Sequence, residues 1–222
     1  MRKTILSLVI VWMLILPSMA SAQPPSPAYH VPDKFTFDYE VVQVVTRGRE
    51  KMDTTEMHYY FTRSGEYAAV GAREKDGDHF IVYTKDDATI FIDLREKTIS
   101  VLKMKNLPGG QSFFGKKNLS GTGLVKTGQT RQMYGYKAEE YKQKDSRGKE
   151  VFCWYARTGF NTQLIKTMGK GVGAPTLNEP DQLLVEAAAA DEHSAARSTF
   201  LVTRSISDRQ YNFSTKGYRV TN

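Results

Sequence analysis

The side chains able to do chemistry are few and scattered. The four histidines are His30, His58, His79 and His193. None has a second ligand at a metal-binding interval such as His-Glu-x-x-His, so the spacing implies no metal site and no metal cofactor. A serine hydrolase of the nucleophile-elbow type needs Gly-x-Ser-x-Gly, which is missing. Asn118-Leu119-Ser120-Gly121 is a polar turn. Residues 169–174, Gly-Lys-Gly-Val-Gly-Ala, resemble a phosphate loop only superficially. The Walker pattern is lacking, the third glycine comes one position early for a dinucleotide fold, and Pro175 follows. Asp86-Asp87 and Glu139-Glu140 are adjacent pairs, and neighbours in an extended chain point to opposite faces, which unsuits them for shared acid–base work. The lone Cys153 lies within the aromatic run Val151-Phe152-Cys153-Trp154-Tyr155, and the expected state is a buried, inert thiol. Catalysis is therefore not expected and no cofactor is implied. A hydrolase with a scattered site is the weakest of three readings.

The elements that would position any site are strands. Phe35, Phe37, Tyr39 and Val41 alternate with Thr36, Asp38 and Glu40, as do Met57, Tyr59 and Phe61 with their polar neighbours. That period of two marks half-buried strands. Residues 80–83, 90–94 and 99–102 are further short β-rich runs. Arg63-Ser64-Gly65-Glu66, Asp76-Gly77 and Asp145-Ser146-Arg147-Gly148 separate runs with turn chemistry. Closely spaced strands joined by tight turns predict a meandering antiparallel sheet. Two stretches break the rhythm. Residues 106–123 and 169–180 are rich in glycine, and long loops of that kind are usually functional or disordered. After the second, residues 181–193 read as a helix, with Leu183, Leu184, Ala187 and Ala188 on one apolar face and Pro180 and Asp181 suited to its first turn.

The chain opens on a secretory pattern: Arg2 and Lys3, an apolar run over residues 5–16, and Ala20-Ser21-Ala22 as the cleavage signal. The run is too short to span a membrane, and no second one follows, so no transmembrane segment is expected. The predicted organisation is a signal peptide over 1–22, a proline-rich linker over 23–33, and one β domain over 34–222, exported to the periplasm. The net charge is +7, and loss of Arg2 and Lys3 lowers it to +5. The charges are mixed in sign, and export together with the lack of a basic run argues against nucleic acid as a partner. One cysteine cannot form an internal disulfide, so burial must hold the domain together.

One constellation is more specific. Residues 127–141 form a strand, a turn near Gly135, and a second strand. Tyr136, Ala138 and Glu140 fall on one face and Lys137, Glu139 and Tyr141 on the other. Gly128, Thr130, Arg131 and the Gly135-Tyr136-Lys137-x-x-x-Tyr141 pattern resemble a bacterial family of exported β-rich domains of unknown function. Trp154-Tyr155, Gly217-Tyr218-x-Val220 and, more loosely, Met57-x-Tyr59-Tyr60-Phe61 extend the resemblance over most of the mature chain. The family often carries cysteine where Ala138 stands. It is distantly similar to the LolA/LolB lipoprotein carriers, which implies an incomplete β-barrel with a helical lid over an apolar hollow.

The expected fold is thus mainly β: a curved antiparallel sheet, LolA-like, with one lid helix in the C-terminal half. The expected function is non-catalytic binding of an acyl chain, lipid or lipidated protein, with Phe113, Phe114, Leu183, Leu184 and Ala187 at the cavity mouth and lid. The alternative is an interaction or structural module contacting an envelope protein, motivated by plentiful tyrosines and the proline-rich tether.

Overall fold

The structure, a computed structural model, describes residues 29–47, 53–74, 77–86, 88–103, 123–145, 148–162, 177, 179–190 and 197–221. The chain divides into two compact units, Met1–His30 and Val31–Asn222, and every described strand belongs to the second. The strands are β1 (Lys34–Phe37), β2 (Tyr39–Arg47), β3 (Asp53–Phe61), β4 (Tyr67–Glu74), β5 (Gly77–Thr84), β6 (Ala88–Asp93), β7 (Thr98–Lys103), β8 (Val125–Met133), β9 (Tyr136–Lys144), β10 (Glu150–Arg157), β11 (Gln182–Ala190), β12 (Arg197–Ser207), β13 (Tyr211–Ser214) and β14 (Arg219–Thr221). Twelve form one sheet in the order β14-β7-β6-β5-β4-β3-β2-β12-β11-β10-β9-β8, and β1 pairs with β13 in a separate ribbon. All neighbours are antiparallel except β14 with β7. The end strands β14 and β8 do not pair with each other, so the sheet is not a closed barrel. Among the described residues no helix is long and apolar enough to cross a membrane.

The alternating run that begins at Phe35 is two strands, not one. Asp38 breaks it, accepting a hydrogen bond on Oδ2 from the Arg63 amide at 2.6 Å. Before the break, Phe35 and Phe37 lie in the ribbon and pack against Tyr67 at 5.3 Å between ring centroids. The ribbon covers one face of the large sheet: Phe37 meets Tyr60, and Phe213 stacks on Phe80 at 4.7 Å. After the break, Tyr39 and Val41 serve the opposite face. The end of the proline-rich segment is tied down as well, because the Pro32 and Asp33 carbonyls accept from the Thr215 hydroxyl and amide.

The large sheet curls on itself. Phe160, just past β10, lies 5.3 Å from Phe61 on β3 and stacks on Tyr39 at 4.3 Å. Strands β3 and β10 are four places apart in the sheet, roughly 19 Å if it were flat. The curl brings Val41, Tyr59, Phe61 and Val70 into one buried cluster with Ala138, Trp154, Leu183 and Val185. A second cluster holds Val45, Tyr141, Cys153, Tyr155, Leu184, Ala187 and Leu201. Strands β9, β10 and β11 therefore bury both faces, one in each cluster.

This corrects the expected lid helix. Residues 182–190 are a strand inside the sheet, and no helix occurs among the described residues. Its rungs to β10 include Leu183 to Ala156, Leu184 to Tyr155 and Ala187 to Cys153, and it pairs with β12 from Glu186 to Ala190. A strand buried on both faces needs a nearly continuous apolar run, which periodicity alone cannot separate from a helix. The weak preference of alanine for helix yields here to two flanking hydrogen-bond ladders and to burial.

Candidate functional site

The expected site residues do not meet. Phe113 and Phe114 lie outside the described residues. Leu183 belongs to the first cluster and Leu184 and Ala187 to the second, all three enclosed as packing groups.

Reading the register across the sheet places a different set together. One row of partners runs Ile206, Val41, Tyr59, Val70, Ile81, Phe91 and Ser100, from β12 to β7. The next row on the same face runs Tyr39, Phe61, Ala68, Tyr83, Thr89 and Leu102. Over β2 to β4 both rows are buried under the first cluster. Toward β7 the cover becomes partial: Thr89 is still enclosed, but Phe91 is 37% and Leu102 38% exposed, with Ile81 half-buried beside them. An apolar sheet face thus continues from the core to solvent. Its most enclosed polar members are Tyr83, whose phenol burial pushes up to about 12, and Thr89. On the opposite face of the same strands Phe80, Val82, Ile90, Ile92 and Ile99 are buried. The sequence carried a signal for this: in Ile90-Phe91-Ile92 no polar residue alternates, so both faces of β6 are apolar although only one is fully buried.

A second constellation is polar. The Arg131 guanidinium lies 4.1 Å over the Trp154 ring and donates from Nη2 to Glu186 Oε2 at 2.7 Å. Arg197 lies 3.6 Å over Phe152 and donates from Nη1 to Glu140 Oε1. Glu140 is 1% exposed and also accepts from Thr127 Oγ1 at 2.8 Å. Phe152 and Trp154 are two residues apart on β10, so the two stacks lie on the same face of that strand. One arginine reaches from β8 to β11 and the other from β12 back to β9, strapping four strands together. Near them the Tyr134 hydroxyl donates to the Thr203 carbonyl, from the β8–β9 turn to β12. Tyr134 and Gly135 both have positive φ, 53° and 81°, the two-residue turn that matches strand twist. With both carboxylates occupied, these groups fasten the curled sheet.

Between the two clusters Gln43 is 1% exposed, and its Nε2 donates to the Leu184 carbonyl at 2.7 Å and to Thr203 Oγ1 at 3.1 Å. Leu184 lies beyond the last β11–β12 rung, so the glutamine replaces the missing ladder bond where those strands diverge.

Among the described residues, His58 and Cys153 are not assembled with a nucleophilic partner. His58 has Glu40 Oε1 at 3.0 Å from Nδ1 and Glu56 Oε1 at 3.1 Å from Nε2, so neither ring nitrogen addresses a hydroxyl or thiol. Arg204 completes that surface network through Glu56. Burial pushes the Cys153 thiol up to about 12, which keeps it protonated at neutral pH. Among the described residues no three histidine, cysteine, aspartate or glutamate side chains are grouped to hold a metal ion.

No family model matches the chain, and no curated protein matches it. It is similar to a solved structure of PNGF-II, at 9% identity and a TM-score of 0.38, over 84% of this chain and 30% of that one. The chain spans less than a third of that protein, and a likeness at this level identifies neither fold nor function.

Proposed function

We propose that this domain binds an acyl chain or a lipidated partner, without catalysis, in the periplasm. The observation that carries the reading is the apolar face of β5 to β7, where Ile81, Phe91 and Leu102 continue the core outward and lose their cover. The LolA-like half-barrel is the architecture that would suit such a site. Burying hydrocarbon there contributes about 0.8 kcal/mol per methylene, enough for affinity without a reactive group. Native mass spectrometry and solvent extraction of the protein isolated from its own envelope fraction should recover bound lipid. A fluorescent fatty acid should bind and be weakened by Phe91→Ser with Leu102→Ser, but not by Val125→Ser on the edge strand β8. Absence of both extracted lipid and probe binding rejects the reading.

The rival, an envelope interaction module, draws on exposed Val125, Tyr134 and Tyr211. These sit on β8, on the β8–β9 turn and in the ribbon, not on one patch. The free edge of β8 is broken by the register shift between Lys126 and Thr130, which blunts it for strand addition. The acyl site is the better-supported reading.

A further inference from the structure

Among the described residues seven threonines are buried: Thr62, Thr84, Thr89, Thr158, Thr162, Thr203 and Thr215. Six have hydrogen-bonded hydroxyls. Thr62 donates to the Tyr67 carbonyl, Thr158 and Thr162 to carbonyls around Asp181, and Thr215 to the Pro32 carbonyl. Thr203 accepts from Gln43. Thr84, in the same hairpin as Thr89, both donates to and accepts from the Ala88 backbone. Thr89 is 2% exposed and its Oγ1 has no hydrogen-bond partner among the described residues. Buried hydroxyls are normally bonded, and each exception calls for a reason. A valine would fill the same volume without an orphaned polar atom.

Its place in the sheet supplies the reason. Thr89 lies between Tyr83 and Leu102 in register and two residues from Phe91, enclosed itself but flanked on the same face by the exposed Phe91 and Leu102. A polar atom in want of a partner is thus set within hydrocarbon walls, inward of the exposed pair. Resting on the acyl-binding reading above, we propose that Thr89 Oγ1 anchors the ligand by donating to an ester carbonyl flanked by hydrocarbon, while the chain lies along Ile81, Phe91 and Leu102. The ligand class is then an acyl ester rather than a plain alkyl chain. A hydroxyl donor discriminates for an acceptor at that depth because a hydrocarbon leaves it unbonded, whereas apolar walls favour both alike.

The test compares an alkyl ester and an n-alkane of equal chain length, delivered from cyclodextrin, for displacement of a fluorescent fatty-acid probe. The wild type should favour the ester about tenfold, the factor that one good hydrogen bond commands. Thr89→Val should lose that preference while still binding the alkane, and Thr89→Ser should retain it. Thr89→Val should also melt no lower than the wild type, because its hydroxyl bonds nothing in the free protein. Equal binding of ester and alkane by the wild type, or an ester preference that survives Thr89→Val, overturns the anchor and leaves the acyl site standing. Failure of both probes to displace, with no fatty-acid binding to begin with, overturns the site and the anchor together.

Discussion

Replacing Gln43 by methionine keeps the length and flexibility of the side chain and deletes one amide. The structure sets what that amide holds. Its Nε2 donates to the Leu184 carbonyl and to Thr203 Oγ1, at a point 1% exposed to water where β11 leaves β12. Each net hydrogen bond is worth about 1 kcal/mol, and an acceptor left buried without a partner costs about 1–3 kcal/mol. Thr203 Oγ1 keeps its rotational freedom and suffers less than the fixed carbonyl. The expected loss for Gln43→Met is therefore about 2–4 kcal/mol, a large share of the roughly 5–15 kcal/mol that a domain commonly has. Urea unfolding followed by tryptophan fluorescence measures it, with an unchanged slope expected because the folded state stays compact. Adding Thr203→Val removes one of the two orphaned acceptors, so the double variant should lose about 1 kcal/mol less than the sum of the singles. Amide exchange at Val185 and Glu186 should quicken, reporting local opening between β11 and β12. A Gln43→Met protein within about 0.5 kcal/mol of the parent, with unchanged exchange there, would refute the bridging role.

The arginine stacks give an ordered pair of outcomes. Arg197→Met leaves Glu140 enclosed with only Thr127 beside it and should cost about 3–5 kcal/mol. Arg131→Met should cost about 1 kcal/mol by the same urea titration, because Glu186 keeps access to solvent; the reverse order would contradict the assigned burial. Cys153 should resist a thiol reagent at pH 8 in the folded protein and react fully in denaturant; stoichiometric labelling of the native protein would disprove its enclosure. Alkaline stability follows from the same burial. Cys153 and Tyr83 are pushed up to about 12 and Tyr155 higher still, against 9.0 for a free thiol and 10.0 for a free phenol. Above pH 9 the unfolded chain sheds protons that the folded chain keeps, so stability is full below that point and falls as pH rises toward 12. A melting temperature flat from pH 8 to 11 would show these groups to be solvated.

The curl leaves the two ends of the apolar sheet face unlike. Because β9 to β11 fold back over β2 to β4, one end of the apolar sheet face is filled by Trp154, Leu183 and Val185. The other end, at β6 and β7, has no equivalent cover from those strands and leaves Phe91 and Leu102 open.

By themselves the residues determined the class of the fold: alternation at Met57, Tyr59 and Phe61, and turn chemistry at Gly65, Gly135 and Gly148, follow from the two-residue period and from backbone left-handedness, which are local properties. They likewise determined that Cys153 would be buried within an aromatic strand. Local reasoning failed where both faces of a strand are enclosed. Leu183-Leu184-Val185 and Ala187-Ala188 carry no polar alternation to mark a strand, and only pairing with β10 and β12 settled their conformation. Tertiary structure alone decided that Asp38 splits the first apolar run between two sheets. It also joined Arg131 to Glu186, Arg197 to Glu140 and Gln43 to Leu184, groups brought together by curvature across strands far apart in sequence. The orphaned hydroxyl of Thr89 belongs with these, since a threonine in a β-rich run is ordinary until the partners of all its neighbours are known.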